Sequence, residues 1–175
     1  MDKVRIGGIK KSYELGLLKF GGLRAPAPFL PGICRKLAEG RINIAFLVVT
    51  GRKEEYQVSC CVAAEEAGRA FDLVGHGRGP GGTEGRLRPS VGLLSLYPTR
   101  ANLNVLDLSL AALHRSALTW HALASSLSTL TFVLDYRDLE AAIEALTGVF
   151  ELPSGHAPFE PEMKVFQSTA LKNEE

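Results

Sequence analysis

The stretch SSLSTLTFVLDYRDLEAAIEALTGVFEL, residues 125–152, contains the patterns of one strand and one helix. Apolar and β-branched residues at Leu130–Leu134 predict a strand, and Leu118–Ala124 predicts its hairpin partner. Asp135 is the expected cap of a following helix, with Asp138 in a position like that of a capping box. The helix itself is predicted by apolar residues at i, i+3, i+4 and i+7, which are Leu139, Ala142, Ile143 and Leu146.

Earlier in the chain the pattern predicts a strand and a helix, followed by the same order of two paired strands and a helix. Leu18–Phe20 predicts a strand, residues 21–26 a loop, and Gly40 the end of a helix whose apolar face is Ile33, Cys34, Leu37 and Ala38. Ile42–Thr50 is apolar on both faces, which predicts a buried central strand. A partner strand, Tyr56–Val62, and a helix then follow, the helix having its apolar residues at Ala67, Ala70, Phe71 and Val74.

The two halves repeat each other. Val91–Tyr97 predicts a strand and Val105–His114 a helix, so the β-α-β-β-α order recurs at an offset of about 76 residues, as between Leu18 and Leu94 or Ile42 and Leu118. In the last helix the offset falls to about 72, between Phe71 and Ile143, which indicates a shorter hairpin in the second copy.

This order predicts two ferredoxin-like βαββαβ units, each with an antiparallel sheet and helices on one face. The expected divisions are a first unit at 10–74, a glycine-rich linker at 75–90 and a second unit at 91–152. Val4–Ile9 and Val149–Leu152 are candidates for the missing fourth strands, with residues 1–9 completing one of the units. The tail, 153–175, is either an edge strand through Val165 and Phe166 or disordered.

Composition narrows the possible functions. The 175 residues are 46% hydrophobic and carry a net charge of +1, which suits a packed core and does not favour nucleic acid as a partner. We expect no signal peptide and no membrane span, because no apolar run approaches the roughly 18 residues that a span needs. Three cysteines without paired spacing argue against disulfides and zinc, so we expect a cytoplasmic protein.

Catalytic and cofactor motifs are weak. The segment GHGRGPGGTEG, residues 75–85, matches G-x-G-x-x-G, but it follows a helix and precedes a strand, the reverse of a dinucleotide site. The histidines and serines lack the spacing of metal ligands or of an activated nucleophile. We therefore predict no catalytic residues, no metal and no cofactor. One enzyme alternative stays open, an acyl-phosphate hydrolase using Arg24 or Arg100 in a loop after the first strand of a repeat.

Three stretches together resemble a known family. VRIGGIKKSYELGLLKFGGLRAPAPFLPG (4–32), LAEGRINIAFLVVTG (37–51) and residues 125–152 are similar to the tandem ACT-domain regulatory half of aspartate kinases. The resemblance implies a sensor that binds an amino acid, often at an interface between domains or subunits, and shifts the activity of an attached or associated enzyme. It also implies a precedent for a chain without the kinase, since some of these enzymes have a short regulatory subunit of this kind.

Helix N-termini are the expected ligand sites. They offer unpaired N–H groups and a positive dipole end to a carboxylate, and nearby strand carbonyls can accept from an ammonium group. In the first repeat the residues at such a place are Pro31, Gly32 and Ile33, with Asn43 and Thr50 on the next strand. In the second they are Asn104 and Val105, with Ser125 and Ser126 opposite.

Two functions remain in competition at this point. The first is a non-catalytic regulatory protein that binds an amino-acid effector, forms a homodimer and acts on a biosynthetic enzyme such as aspartate kinase. The second is a structural oligomerisation module of the same fold with a degenerate ligand pocket. A thermal-shift panel of amino acids separates the two, because only a ligand that binds the native state stabilises it.

Overall fold

The computed structural model describes residues 3–24, 29–52, 55–74, 85–99 and 102–153. Its helices are Phe29–Glu39 (α1), Ala67–Val74 (α2), Leu103–Arg115 (α3) and Leu139–Val149 (α4). Its strands are Val4–Arg5 (β1), Gly8–Lys11 (β2), Leu15–Arg24 (β3), Phe46–Arg52 (β4), Glu55–Ala63 (β5), Gly85–Tyr97 (β6), Trp120–Ser125 (β7), Leu130–Asp135 (β8) and Phe150–Glu151 (β9). No helix in these ranges is long and apolar enough to cross a membrane.

The chain divides into two compact units. Unit 1 contains the described residues within Met1–Leu15 and Ser90–Met163, and unit 2 contains those within Gly16–Pro89. The chain passes from unit 2 to unit 1 inside strand β6, which begins at Gly85 and therefore within the segment predicted as a linker. Residues 75–84 of that linker and residues 154–175 of the tail lie outside the described part of the chain.

Unit 1 is built on four antiparallel strands in the order β2-β6-β8-β7. Its core joins these strands to α3 and α4 through buried side chains, among them Leu94, Leu113, Phe132 and Leu146. The N-terminal segment predicted as one strand, Val4–Ile9, forms two short ones. β2 supplies the fourth strand of the sheet, whereas β1 and β9 pair with each other in parallel, so the prediction that Val149–Leu152 adds a strand to a main sheet was wrong.

Unit 2 has the strand order β4-β5-β3, followed by the first part of β6. Leu18, Phe20, Val58, Cys60 and Val62 of the strands pack against α1 and α2. β4 lies at the edge of this order and begins at Phe46, so the prediction of a buried central strand over Ile42–Thr50 was wrong. Leu47 and Val49 are both 39% exposed. An apolar run on both faces is typical of a central strand, but here it occurs in a strand at the edge of the sheet.

The internal repeat reappears in how α1 and α3 end. Arg41 and Ala117, which are 76 positions apart, both have positive φ angles, 56° and 54°. The next residues donate backbone hydrogen bonds back into the helix, Ile42 to Leu37 at 2.8 Å and Leu118 to Leu113 at 3.0 Å. This is the geometry of a Schellman cap. The residue that turns the chain after α1 is therefore Arg41 and not the predicted Gly40.

One further prediction changed in detail. β3 continues to Arg24, so residues 21–24 belong to a strand and not to the predicted loop. The other helices and strands were found near their predicted positions. The predicted fold class, two ferredoxin-like βαββαβ units with antiparallel sheets, is confirmed.

Candidate functional site

The N-terminal part of α1 contains three of the predicted site residues of unit 2. Pro31, Gly32 and Ile33 are the third to fifth residues of the helix. Ile33 is 1% exposed and anchors the helix in the core, while a Cβ placed on Gly32 would have no neighbour within 4 Å among the described residues. Pro31 has no N–H to offer, so a carboxylate at this turn would be bound by the neighbouring amides. Gly32 leaves the space that such a ligand needs.

Asn43 lies three residues before β4, and Thr50 lies near the C-terminal end of that strand. Asn43 directly follows Ile42, whose N–H donates to Leu37 at the C-terminal end of α1. Thr50 is exposed and pairs with Gln57, four strand residues and about 13 Å beyond Phe46. Since β4 leads away from the C-terminal end of α1, Thr50 lies toward the end of the unit that contains the first turn of the helix. One copy of unit 2 therefore keeps Asn43 apart from Pro31, Gly32 and Thr50.

In unit 1 the predicted helix N-terminus is already capped. The side-chain oxygen of Asn102 accepts from the Asn104 N–H at 2.9 Å, and its carbonyl accepts from the Val105 N–H at 3.0 Å. Asn102 is thus the N-cap of α3, and the two amides expected to bind a ligand have partners within the chain. An asparagine just before an amphipathic pattern is a recognised start signal, so the sequence contained the information that Asn102 matters.

Ser125 and Ser126 lie at the β7–β8 hairpin. Ser125 ends β7, and the Ser126 hydroxyl accepts from the Thr129 N–H at 3.0 Å and closes the turn. The Thr99 N–H donates to the Ser128 carbonyl at 2.9 Å, which holds this hairpin against the loop before α3. The structure therefore brings the four predicted residues of unit 1 to one end. Ser126 and the amides of Asn104 and Val105 form hydrogen bonds that stabilise that end.

Sequence patterns gave no sign of the pair formed by His121 and Asp135. His121 Nε2 donates to Asp135 Oδ1 at 2.9 Å, and the two side chains are 12% and 24% exposed. His121 is the extra residue at a register irregularity between Trp120 and Ala122. Asp135 was predicted to cap α4, but its side chain makes no cap bond; it pairs with His121 across the hairpin instead.

The cysteines are structural thiols. Cys34, Cys60 and Cys61 are all free, and Cys60 and Cys61 are fully buried. Burial raises the pKa of each of these two thiols to about 12, with a smaller contribution from Cys34 to the shift of Cys60 and from Cys60 to the shift of Cys61. Such thiols are poor nucleophiles near neutral pH. The described residues include no group of three or more histidines, cysteines or carboxylates that could hold a metal ion.

Two ferredoxin-like units, each with a helix N-terminus at one end of an antiparallel sheet, define the class of this chain as a paired ACT-type fold. Solved structures of the same fold include the regulatory subunit of aspartate kinase from Thermus thermophilus in its ligand-free form. The TM-score is 0.73 at 17% identity, over 83% of this chain and 99% of that one. The Thermus flavus regulatory subunit gives 0.75 at 18% identity, over 84% and 99%.

The fold also occurs as part of a longer enzyme. Aspartate kinase from Synechocystis matches 92% of this chain with a TM-score of 0.75 and 12% identity, but only 29% of the enzyme is covered. No protein-family model matches the sequence. No curated protein matches it either. The resemblance to the regulatory region of aspartate kinases is therefore confirmed as a resemblance of fold.

Proposed function

We propose that this chain is a non-catalytic regulatory protein that binds an amino acid and regulates aspartate kinase or another enzyme of amino-acid biosynthesis. The observation that carries the proposal is the extent of the fold match. The chain aligns with 99% of each Thermus regulatory subunit, so its two units match nearly the whole length of those subunits.

The first turn of α1 is the best place for the effector. A ligand carboxylate would gain from the helix dipole and the amides there, and Gly32 leaves the surface open. The equivalent amides in unit 1, those of Asn104 and Val105, already have partners. A ligand near Ser125 and Ser126 would have to displace Asn102, so we expect tighter binding in unit 2.

A homodimer would form through β4. This strand is at the sheet edge and exposes Leu47 and Val49, which natural proteins avoid unless the edge is covered. An antiparallel pair of two β4 strands centred on Val49 would place Leu47 opposite the partner's Gly51, a large residue against a small one. It would also place Val48 opposite the partner's Thr50, a favourable pair of β-branched residues.

The same pairing would complete the ligand site. Around Val49, Phe46 of one copy falls opposite Arg52 of the other, and Asn43 lies three residues beyond Phe46, toward the end that contains the partner's Thr50 and the first turn of its α1. The partner's Asn43 would thus reach the place from which Asn43 of the same copy is excluded. Each dimer would then have two equivalent sites, each built from Gly32 and Thr50 of one copy and Asn43 of the other.

Regulation requires a partner enzyme, and we propose that this chain and that enzyme are both in the cytoplasm. The three free cysteines, two of them fully buried, suit a reducing compartment. A structural oligomerisation module without a ligand is the second candidate. The observation in its favour is the capped N-terminus of α3, where hydrogen bonds within the chain replace those that a ligand would make.

Thermal shift and light scattering separate the two candidates. An effector that binds the native state raises the unfolding free energy by RT ln(1 + [L]/Kd), about 2.7 kcal/mol when the ligand is at one hundred times its Kd. We expect one or a few amino acids to raise the Tm of the dimer at millimolar concentration. A dimer whose Tm responds to none of the common amino acids would select the structural module, and a monomer would contradict both.

A further inference from the structure

Strands β4 and β7 have corresponding places in the two repeats. Each is the first strand of a hairpin and the last in the strand order of its unit, where β5 or β8 is its partner among the described strands. The two edges nevertheless differ. β4 pairs with β5 in an unbroken register from Phe46 to Arg52, whereas the pairing of β7 with β8 shifts between Trp120 and Ala122. The chain thus has one regular edge and one irregular edge.

The irregularity in β7 is a one-residue β-bulge at His121. Trp120 lies opposite Leu134 on β8. Ala122 lies opposite Val133, the residue next to Leu134, so two steps along β7 correspond to one step along β8. Such a count of two residues against one defines a bulge, which bends its strand and increases the local twist. His121 is therefore the added residue of this edge.

The packing of side chains supports the bulge. Trp120 and Leu123 are three positions apart, and side chains with this spacing in a regular strand would point to opposite faces. Both nevertheless pack against the core of unit 1, where the rings of Trp120 and Phe132 meet edge to face with centroids 6.2 Å apart. His121 instead bonds to β8, with Nε2 and Asp135 Oδ1 at 2.9 Å. Without His121, the two core residues would be two positions apart, as regular alternation requires.

We propose that the bulge at His121 keeps β7 closed to strand pairing with other copies of this chain. A bulge is one of the ways in which natural proteins protect a sheet edge, because a bent and twisted strand is a poor template for a straight one. Two regular edges on one chain would let copies join at both, and such contacts can continue without limit. The closed edge lies in unit 1 and is independent of the amino-acid site. Its consequence for assembly rests on the proposed dimer, which would then end at two copies.

Deletion of His121 from the full chain tests the proposal. The deletion leaves Trp120 and Leu123 on the core face and should make β7 a regular edge. We expect the variant to stay folded by circular dichroism and to show, in light scattering, a mass at least about twice that of wild type, since a second edge recruits further copies. His121→Ala is the matched control. It loses the bond to Asp135 but keeps the added residue, so its mass should equal that of wild type.

A second variant locates the surface through which the larger species forms. Ala124 is half-buried near the end of β7, opposite Thr131. Adding Ala124→Lys to the deletion places a charge on the regular edge, and lysine at an edge opposes its pairing with another strand. The mass of the double variant should therefore return to that of wild type.

Four results would overturn the proposal. A folded deletion variant with the mass of wild type would show that the bulge does not control pairing. A deletion variant that fails to fold would make His121 a regular residue of the strand. An equal rise in mass for His121→Ala would assign the effect to the lost bond, and a mass that Ala124→Lys does not lower would place the contact elsewhere. Because each comparison is with wild type, a monomeric wild type would contradict the proposed dimer and leave the expected rise measurable.

Discussion

At the scale of single residues, Arg41 has a backbone conformation that glycine adopts more readily than arginine. Its φ of 56° lies in the left-handed region, which costs a residue with a side chain roughly 1–2 kcal/mol. We predict that Arg41→Gly raises the free energy of unfolding by about 1 kcal/mol, since glycine reaches this region without that cost. Chemical denaturation of the purified protein measures the change.

The control uses the same substitution at a residue inside α1. Arg35→Gly replaces an exposed arginine in the middle of that helix, where glycine is unfavourable by about 1 kcal/mol. The two variants should therefore move stability in opposite directions. Destabilisation by Arg41→Gly comparable to that of Arg35→Gly would show that the left-handed turn after α1 is not formed in solution.

Cys60 and Cys61 should make the fold sensitive to alkali. Their pKa values are about 12 in the folded chain against 9.0 for a free thiol, so both stay protonated while the thiols of the unfolded chain ionise. A raised pKa of this kind contributes stability that is complete below pH 9 and is lost as the pH rises toward 12. We predict a falling free energy of unfolding across that window, measured by urea denaturation at a series of pH values.

A variant separates the thiols from other groups that titrate at high pH. Cys61→Ala removes one of the two shifted thiols, so its free energy of unfolding should fall less steeply between pH 9 and 12, whatever its stability at neutral pH. Identical slopes for Cys61→Ala and wild type would contradict a buried, neutral Cys61.

At the scale of elements, β4 is the strand through which the proposed dimer would form. We predict that Val49→Lys converts the proposed dimer to a monomer, because two lysines would face each other at the centre of the strand pair. Light scattering of the variant and the wild type measures the change. Leu73→Lys on α2 is the control, since Leu73 is 37% exposed, similar to Val49 at 39%, but lies away from the sheet edge. A Val49→Lys variant that remains dimeric would exclude this interface.

β4 also shows what periodicity predicts and what it does not. The order β-α-β-β-α could be predicted in both repeats, because apolar residues recur with a period of about two residues in strands and about 3.6 residues in helices. The same apolar run fits a central strand or an edge strand that another chain covers, so its place in the sheet could not be predicted. The pairing of β2 with β6 depends on residues more than eighty positions apart, for which a single sequence gives no signal.

The candidate site was predictable only in part for a related reason. Helix starts have local signals, so Pro31, Gly32, Asn104 and Val105 were placed on or near first turns. Which groups remain open depends on hydrogen bonds formed by neighbours, such as the bond from the Asn104 N–H to the side chain of Asn102. The pair of His121 with Asp135 arises from a register irregularity in β7, which side-chain patterns do not reveal.

At the scale of the whole molecule, the proposed sites belong to the dimer and not to one chain. Within a copy, Asn43 is at the C-terminal end of α1 and Thr50 is about 13 Å or more further along β4. If each site takes Thr50 from one copy and Asn43 from the other, Asn43→Ala and Thr50→Val should each impair both sites of a homodimer. An amino acid found in the thermal-shift panel should then bind either variant more weakly than it binds wild type.

Mixing the two variants gives the decisive prediction. A mixed dimer has one site with both substitutions and one site with neither, because the unaltered Thr50 and the unaltered Asn43 come from different chains. Unfolding and refolding the variants together should therefore restore wild-type affinity at one site in each mixed dimer, as measured by titration calorimetry. If Asn43 and Thr50 acted within the same chain, every site in the mixture would still contain a substitution. Mixing would then restore nothing, and the shared site would be excluded.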